Sequence, residues 1–217
     1  MDYIIKFSLL ILAYLLGSIP FGYIVAKTKG IDITTTGSKN IGATNVTRTL
    51  GLRYGILVFA LDALKAGLIV SLFTLKILPR DYAFQTPLFY GFASVLGHSF
   101  SIFLKFKGGK AVACSAGVLI AYDPLVAFIV ISVFTFIVKA TKYVSLGSLV
   151  AAGLAFILSV AFTLLGRYEY YTQMDYPVFY FPIFTLVFVW LIFLRHKKNI
   201  ENLKNQTETK IDLTEKK

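Results

Sequence analysis

A succession of apolar runs joined by short polar, mostly basic connections constrains this chain more than any other feature. The runs cover residues 4–26, 54–78, 88–104, 111–138, 144–165 and 178–194. Lipid offers no hydrogen-bond partners, so spans of this composition are expected to be helices whose backbone groups satisfy one another. Of the 217 residues, 57% are hydrophobic and 15% charged. That is more apolar surface than a water-soluble domain of this size can bury. The expected class is an all-α integral membrane protein. The first run is too long for a signal-peptide core and no small-residue cleavage pattern follows it, so it reads as a retained helix, kinked at Gly17-Ser18-Ile19-Pro20.

The run 111–138 decides the topology. Tyr122-Asp123-Pro124 sits at its middle. Proline disfavours helical geometry in the residue before it, and a charged Asp123 is costly at the bilayer centre. Splitting the run there gives a polytopic bundle of seven transmembrane helices, several of them short. With the N-terminus outside and the C-terminus cytoplasmic, the lysine- and arginine-rich connections all fall inside, which six spans do not allow. A single domain over 1–205 and a polar, solvated tail over 206–217 complete the organisation.

The net charge of +11 lies mostly in the connections. In a membrane protein that bias reports orientation and contact with anionic lipid, and no nucleic-acid partner is expected: the basic stretches lack the interleaved aromatics of a single-strand platform. Cys114 is the only cysteine, so no intrachain disulfide forms. Two histidines far apart in sequence and scattered carboxylates give no metal-ligand pattern.

Between the first two apolar runs lies GSKNIGATNVTRTLG, residues 37–51, which reads as a polar loop. Its glycines let backbone N–H groups approach an anion, and Lys39 and Arg48 add charge. A second polar turn, Gly108-Gly109-Lys110, precedes an apolar run; Leu104 and Ala111 stand where a Walker A loop needs glycine and a hydroxyl, so it is not one. Asp62 and Lys65 are spaced to meet on one helix face. His98 ends a span without the acid of a His-x4-Asp motif, since Phe103 stands at that position.

These pieces occur together, in order, with Arg195-His196, Asn199 and Ile200, and the chain resembles the bacterial acyl-phosphate-dependent glycerol-3-phosphate acyltransferases (PlsY type) over nearly its whole length. The resemblance implies a seven-helix enzyme of the bacterial inner membrane with its active site facing the cytoplasm. It implies transfer of a fatty acyl group from acyl phosphate to the 1-hydroxyl of glycerol 3-phosphate, giving lysophosphatidic acid and phosphate for phospholipid synthesis. Neither a cofactor nor a metal is expected. The partners are the two substrates and membrane lipid, with no required protein partner. Ser38, Arg48, Lys110, His196 and Asn199 are the expected catalytic residues. Lys39, Asn40, Thr44, Asn45, Lys65, His98, Gly108 and Gly109 are expected to bind substrate or phosphate. The chain departs from the family pattern at Thr34 (often Arg), Lys39, Ala66 and Ala111 (usually Gly), Cys114 (usually Thr) and Gln206 (often Gly). A transporter or channel for an anionic phosphorylated metabolite is the alternative; it would use the same cations, but no internal repeat supports it.

Overall fold

The computed structural model describes residues 2–168 and 177–212. Among these residues the secondary structure is entirely helical. The first apolar run forms α1 (Asp2–Ser18) and α2 (Phe21–Lys27), separated at Ile19-Pro20, where proline supplies no N–H. After a loop come α3 (Ala43–Leu50) and the long α4 (Leu52–Thr74). Then follow α5 (Leu88–Ser99), α6 (Val112–Tyr122), α7 (Pro124–Thr141) and α8 (Val144–Leu164). The last apolar run is α9 (Tyr180–Arg195), and α10 (Lys197–Lys204) follows it.

The break at Asp123 falls where the sequence placed it. Asp123 caps α7, its Oδ1 accepting from the N–H groups of Leu125 (3.0 Å) and Val126 (3.1 Å), with Pro124 as the first helical residue. One helix corrects the sequence reading. The glycine-bearing block was expected to be a loop throughout, yet residues 43–50 form α3. Tertiary contact supplies what local pattern did not: Val46 is wholly buried in a small core with Ala26, Ile33, Ile41 and Val58. The basic stretch after the last apolar run, for which the sequence reading assigned no structure, is also helical, as α10. Of the connection between α8 and α9, residues 169–176 lie outside the described residues.

Among the described residues four helical runs are long and apolar enough to cross a bilayer: Tyr3–Lys27, α4, α7 and α8. α9 joins them if it is taken with α10 across a 63° bend. α5 with the turn to Leu104 is shorter, as is α6, whose 11 residues span about 17 Å against a hydrocarbon core of about 30 Å. Leu164, Phe136, Phe128 and Ile4 are all 70% or more exposed, as side chains facing lipid should be.

Lipid tails are as apolar as leucine, so close backbone approach holds such helices together. Gly17 of α1 and Gly97 of α5 provide it: a Cβ on Gly17 would lie 2.1 Å from the Ser94 carbonyl oxygen, and one on Gly97 2.2 Å from that of Tyr14. The main core lies among α4 to α9. A second, with Phe73 and Tyr90 stacked at 5.3 Å, joins α1, α4 and α5. The connectivity gathers the end of α2, α3, the starts of α4, α6 and α8, the ends of α5, α7 and α9, and α10 at one end of the bundle.

Candidate active site

That end holds a cavity of about 760 Å³, counted out to its mouth. Residues from every polar stretch named above meet there. Ser38, Asn40, Thr44, Asn45 and Arg48 line it from the loop and α3, His98 and Lys110 from the turns around α5 and α6, and His196 and Asn199 from the end of α9 and α10.

The loop is internally stitched. Asp32 Oδ1 accepts from the N–H (2.9 Å) and hydroxyl (2.6 Å) of Thr34. Asn45, 1% exposed, does more. Its Oδ1 accepts from the Ser38 N–H at 2.9 Å, and its Nδ2 donates to the carbonyls of Asn40 (2.9 Å), Thr36 (3.0 Å) and Ile33 (3.3 Å). The amide is therefore committed to fixing the loop, and what Asn45 gives the cavity is the placement of Ser38 and Asn40. Asn40 accepts from the Gly42 N–H at 2.9 Å. Lys39 is exposed and absent from the cavity wall, with φ at +58°. A side chain in that left-handed region costs about 1–2 kcal/mol relative to the right-handed one.

In the Gly108-Gly109 turn one N–H is already engaged. The Gly109 N–H donates to the His98 carbonyl at 3.0 Å. The turn's carbonyls accept from Arg195: Nη2 to Gly108 at 2.8 Å and Nε to Gly109 at 3.0 Å. Both glycines are required sterically. A Cβ on Gly108 would sit 2.1 Å from the His98 carbonyl oxygen, and one on Gly109 2.0 Å from His98 Nε2. The close approach is to His98, and it sets the position of Lys110.

Lys65 is buried beside Asp62 (Nζ–Oδ1 2.7 Å), so the pair meets as its spacing predicted. It donates to the Ile19 carbonyl at 2.6 Å and lies 3.2 Å from His98 Nδ1. An ammonium can only donate, so His98 Nδ1 accepts and Nε2 carries the hydrogen. Lys65 thus lies beneath the site and ties the break in the first span to the wall of the cavity, and only His98 of this network reaches the wall together with Asp62. Asp62, His98 and Cys114 bring three ligand-type atoms within 4.8 Å of one another. The Lys65 ammonium already contacts two of those groups, so the chemistry of this cluster does not suit a further cation.

On the opposite wall Lys110 Nζ donates to Asn199 Oδ1 at 2.6 Å. Burial holds the Lys110 pKa below its ordinary value; Glu208 opposes this, and Arg48 and Arg195 add to it. His196 Nδ1–H donates to the Ile192 carbonyl at 2.8 Å, leaving Nε2 with a lone pair. Burial, then the nearby Lys110, push the His196 pKa down to about 4 against the support of Ile192 and Glu208, so the ring is neutral at pH 7. Arg48 Nη2 donates to the Thr209 carbonyl at 2.7 Å.

Sequence reasoning missed Glu208 and Arg195 as parts of the site. Glu208, 8% exposed, accepts from Ser145 (2.8 Å), Asn199 (2.7 Å) and Asn202 (3.3 Å), and its carboxylate lies on the cavity wall. Its one sequence signal is an acid in a basic tail, which matches any solvated residue. Arg195 ends an apolar span, where a cation reads as a headgroup anchor. The tail expected to be solvated beyond Gln206 returns to the bundle as far as Ile211, which is buried and donates its N–H to the Lys142 carbonyl at 2.8 Å.

A second cavity, of about 610 Å³, adjoins the first and shares Phe59, Val112, Phe134 and Ser148 with it; its other walls are almost wholly apolar. The fold and site are thus those of a helical membrane protein with a basic, polar cavity beside an apolar one. The chain belongs to the glycerol-3-phosphate acyltransferase family, whose profile matches residues 7–206. It is 42% identical over 204 residues to the glycerol-3-phosphate acyltransferase of Geobacillus kaustophilus (94% of each chain) and 43% over 204 residues to that of Bacillus subtilis (94% and 96%). To that of Aquifex aeolicus it is 45% identical over 196 residues (90% and 93%). Among solved structures it is similar to PlsY (YgiH), an integral membrane glycerol 3-phosphate acyltransferase. The glycerol 3-phosphate form gives a TM-score of 0.81 at 40% identity, covering 95% of this chain and 96% of that one. The lysophosphatidic acid form gives 0.80 at 40% identity, covering 97% of both.

Proposed function

We propose that this chain transfers a fatty acyl group from acyl phosphate to the 1-hydroxyl of glycerol 3-phosphate. The reaction takes place at the cytoplasmic face of a bacterial inner membrane that the chain crosses seven times. The observation that carries this reading is the shared wall between the cationic and apolar cavities: an acyl phosphate has one end suited to each. Arg48 and Lys110 hold phosphate by charge-assisted hydrogen bonds, with Ser38, Asn40 and Thr44 as polar neighbours. His196 and Asn199 complete the far side, Asn199 orienting Lys110 and neutral His196 offering Nε2 as an acceptor to a hydroxyl.

The donor carbonyl is already activated, so positioning and electrostatic stabilisation suffice for catalysis. The glycerol oxygen attacks the acyl carbon, the bond from that carbon to the phosphate oxygen breaks, and phosphate leaves. The hydroxyl proton passes to a substrate phosphate oxygen. Purified protein mixed with palmitoyl phosphate and glycerol 3-phosphate is expected to yield lysophosphatidic acid and inorganic phosphate, and palmitoyl-CoA in place of palmitoyl phosphate is expected to yield neither. A folded sample giving no product from palmitoyl phosphate overturns the proposal.

A further inference from the structure

The stretch 105–111 between α5 and α6 is strained backbone. Lys105, Phe106 and Ala111 have φ at +54°, +61° and +70°, and none of them is glycine. Such backbone persists only where its surroundings hold it. Within the stretch stands Gly108-Gly109-Lys110, whose lysine lines the cationic cavity. Whatever holds the turn therefore helps to make the site.

Arg195, the last residue of α9, reaches the turn from another helix. A guanidinium presents its N–H groups as a planar fork. Here the fork meets two consecutive carbonyls, Gly108 at 2.8 Å and Gly109 at 3.0 Å. The Phe100 ring lies 5.5 Å from the guanidinium carbon and packs against it. Arg195 is half-buried and does not line the cavity, so it acts on a reactant only through the turn.

A trans peptide sets its carbonyl and its N–H on opposite sides. With the Gly108 carbonyl drawn to Arg195, the Gly109 N–H faces the other way, where the His98 carbonyl accepts it at 3.0 Å. With the Gly109 carbonyl drawn to Arg195 as well, the Lys110 N–H also turns away from α9. Among the described residues it has no hydrogen-bond partner. The Lys110 side chain is then fixed by Asn199 of α10 at 2.6 Å. The end of α9 and the start of α10 thus grip the turn twice, first by its backbone and then by its lysine, while His196 between them lines the cavity.

We infer that Arg195 is a positioning residue of the site: its fork holds the strained Gly108-Gly109-Lys110 turn in the orientation that presents the Lys110 ammonium and N–H to a phosphate. The inference rests on the acyltransferase reading, in which Lys110 holds phosphate.

Two variants separate the fork from the charge. Arg195→Lys keeps the charge and loses the fork; Arg195→Gln keeps an amide donor and loses the charge. Each is expected to raise KM for glycerol 3-phosphate by about tenfold or more, the worth of one charge-assisted hydrogen bond. The alkaline limb of kcat/KM tells them apart. Arg48 of α3, Arg195 and His196 of α9, and Glu208 of the returning tail are the titratable or charged groups near Lys110. Asp62 and His98 lie elsewhere on the same cavity wall. Arg195 opposes the Lys110 ammonium, as burial and Arg48 do, and Glu208 favours it. Removing the Arg195 charge favours the ammonium, so Arg195→Gln is expected to move the alkaline fall to higher pH, while Arg195→Lys leaves it in place. Loss of folded protein alone lowers the amount of active enzyme and moves neither KM nor the limb. A wild-type KM in Arg195→Lys overturns the clamp and leaves the reaction standing, and so does an unmoved limb in Arg195→Gln. If Arg195→Gln does not fold, the KM of Arg195→Lys carries the test. A wild-type protein that makes no lysophosphatidic acid from palmitoyl phosphate and glycerol 3-phosphate overturns the reaction, and the clamp falls with it.

Discussion

Lys110 carries the pH signature of the site. Only its ammonium form is a cation for phosphate, and burial lowers the pH at which that charge is lost. The kcat/KM for glycerol 3-phosphate is therefore expected to fall at a lower alkaline pH than an exposed lysine would give. Lys110→Arg, whose guanidinium stays charged, should move that fall upward. Lys110→Met should flatten it and raise KM by about 10- to 100-fold, the worth of one charge-assisted bond. A pH series of initial rates decides this; an unshifted alkaline limb in Lys110→Arg removes Lys110 from phosphate binding. What was legible here was residue type: polar and basic groups between apolar runs stand out, and nine of the thirteen expected site residues line one cavity. What was not legible was each residue's share. Asn45 and Lys65 have side chains that could bind phosphate, and the fold commits both to holding backbone carbonyls instead. Nothing in a one-dimensional pattern tells a ligand's hydrogen bond from a loop's.

Helix breaks with a covalent cause were readable, because proline and an N-capping carboxylate act within a few residues of themselves. The breaks at Pro20 and Asp123 are of this kind. α3 was not readable, since its one well-buried apolar side chain, Val46, finds its partners on α2, α4 and the preceding loop. The returning segment after α10 was hidden for the same reason: Glu208 acquires meaning only when it reaches the start of α8. This segment should behave as a structural strap. Glu208→Ala removes the acceptor of Ser145, Asn199 and Asn202, at about 1–3 kcal/mol for each buried donor left unmade. The melting temperature in detergent should fall by several degrees or more, and activity with it, because Asn199 loses the bond that turns its oxygen to Lys110. Glu208→Gln keeps an accepting oxygen and should lose less of both. Equal stability of Glu208→Ala and the wild-type protein would show that the strap contributes nothing.

For the whole molecule, the apolar runs established a membrane helix bundle, and a labelling experiment tests the seven crossings and the orientation proposed for it. Cys114 is fully buried and should be silent toward an impermeant thiol reagent, so single cysteines can be added without replacing it. Lys39→Cys and Lys107→Cys, both at exposed positions near the cavity end, should label only in inside-out vesicles, and Asp81→Cys, beyond the other end of α4, only in right-side-out ones. Labelling of Lys39→Cys and Lys107→Cys from opposite faces would dismantle the site. The wall of Phe59, Val112, Phe134 and Ser148 shared by the two cavities has one more consequence. In the proposed reaction a reactant lying across it would keep its tail at leaflet depth while its head faced water, so that donor and product would exchange sideways with the bilayer. Turnover should then follow the mole fraction of donor within the membrane rather than its amount per volume of solution, and diluting the donor with inert lipid should slow the reaction at constant bulk concentration.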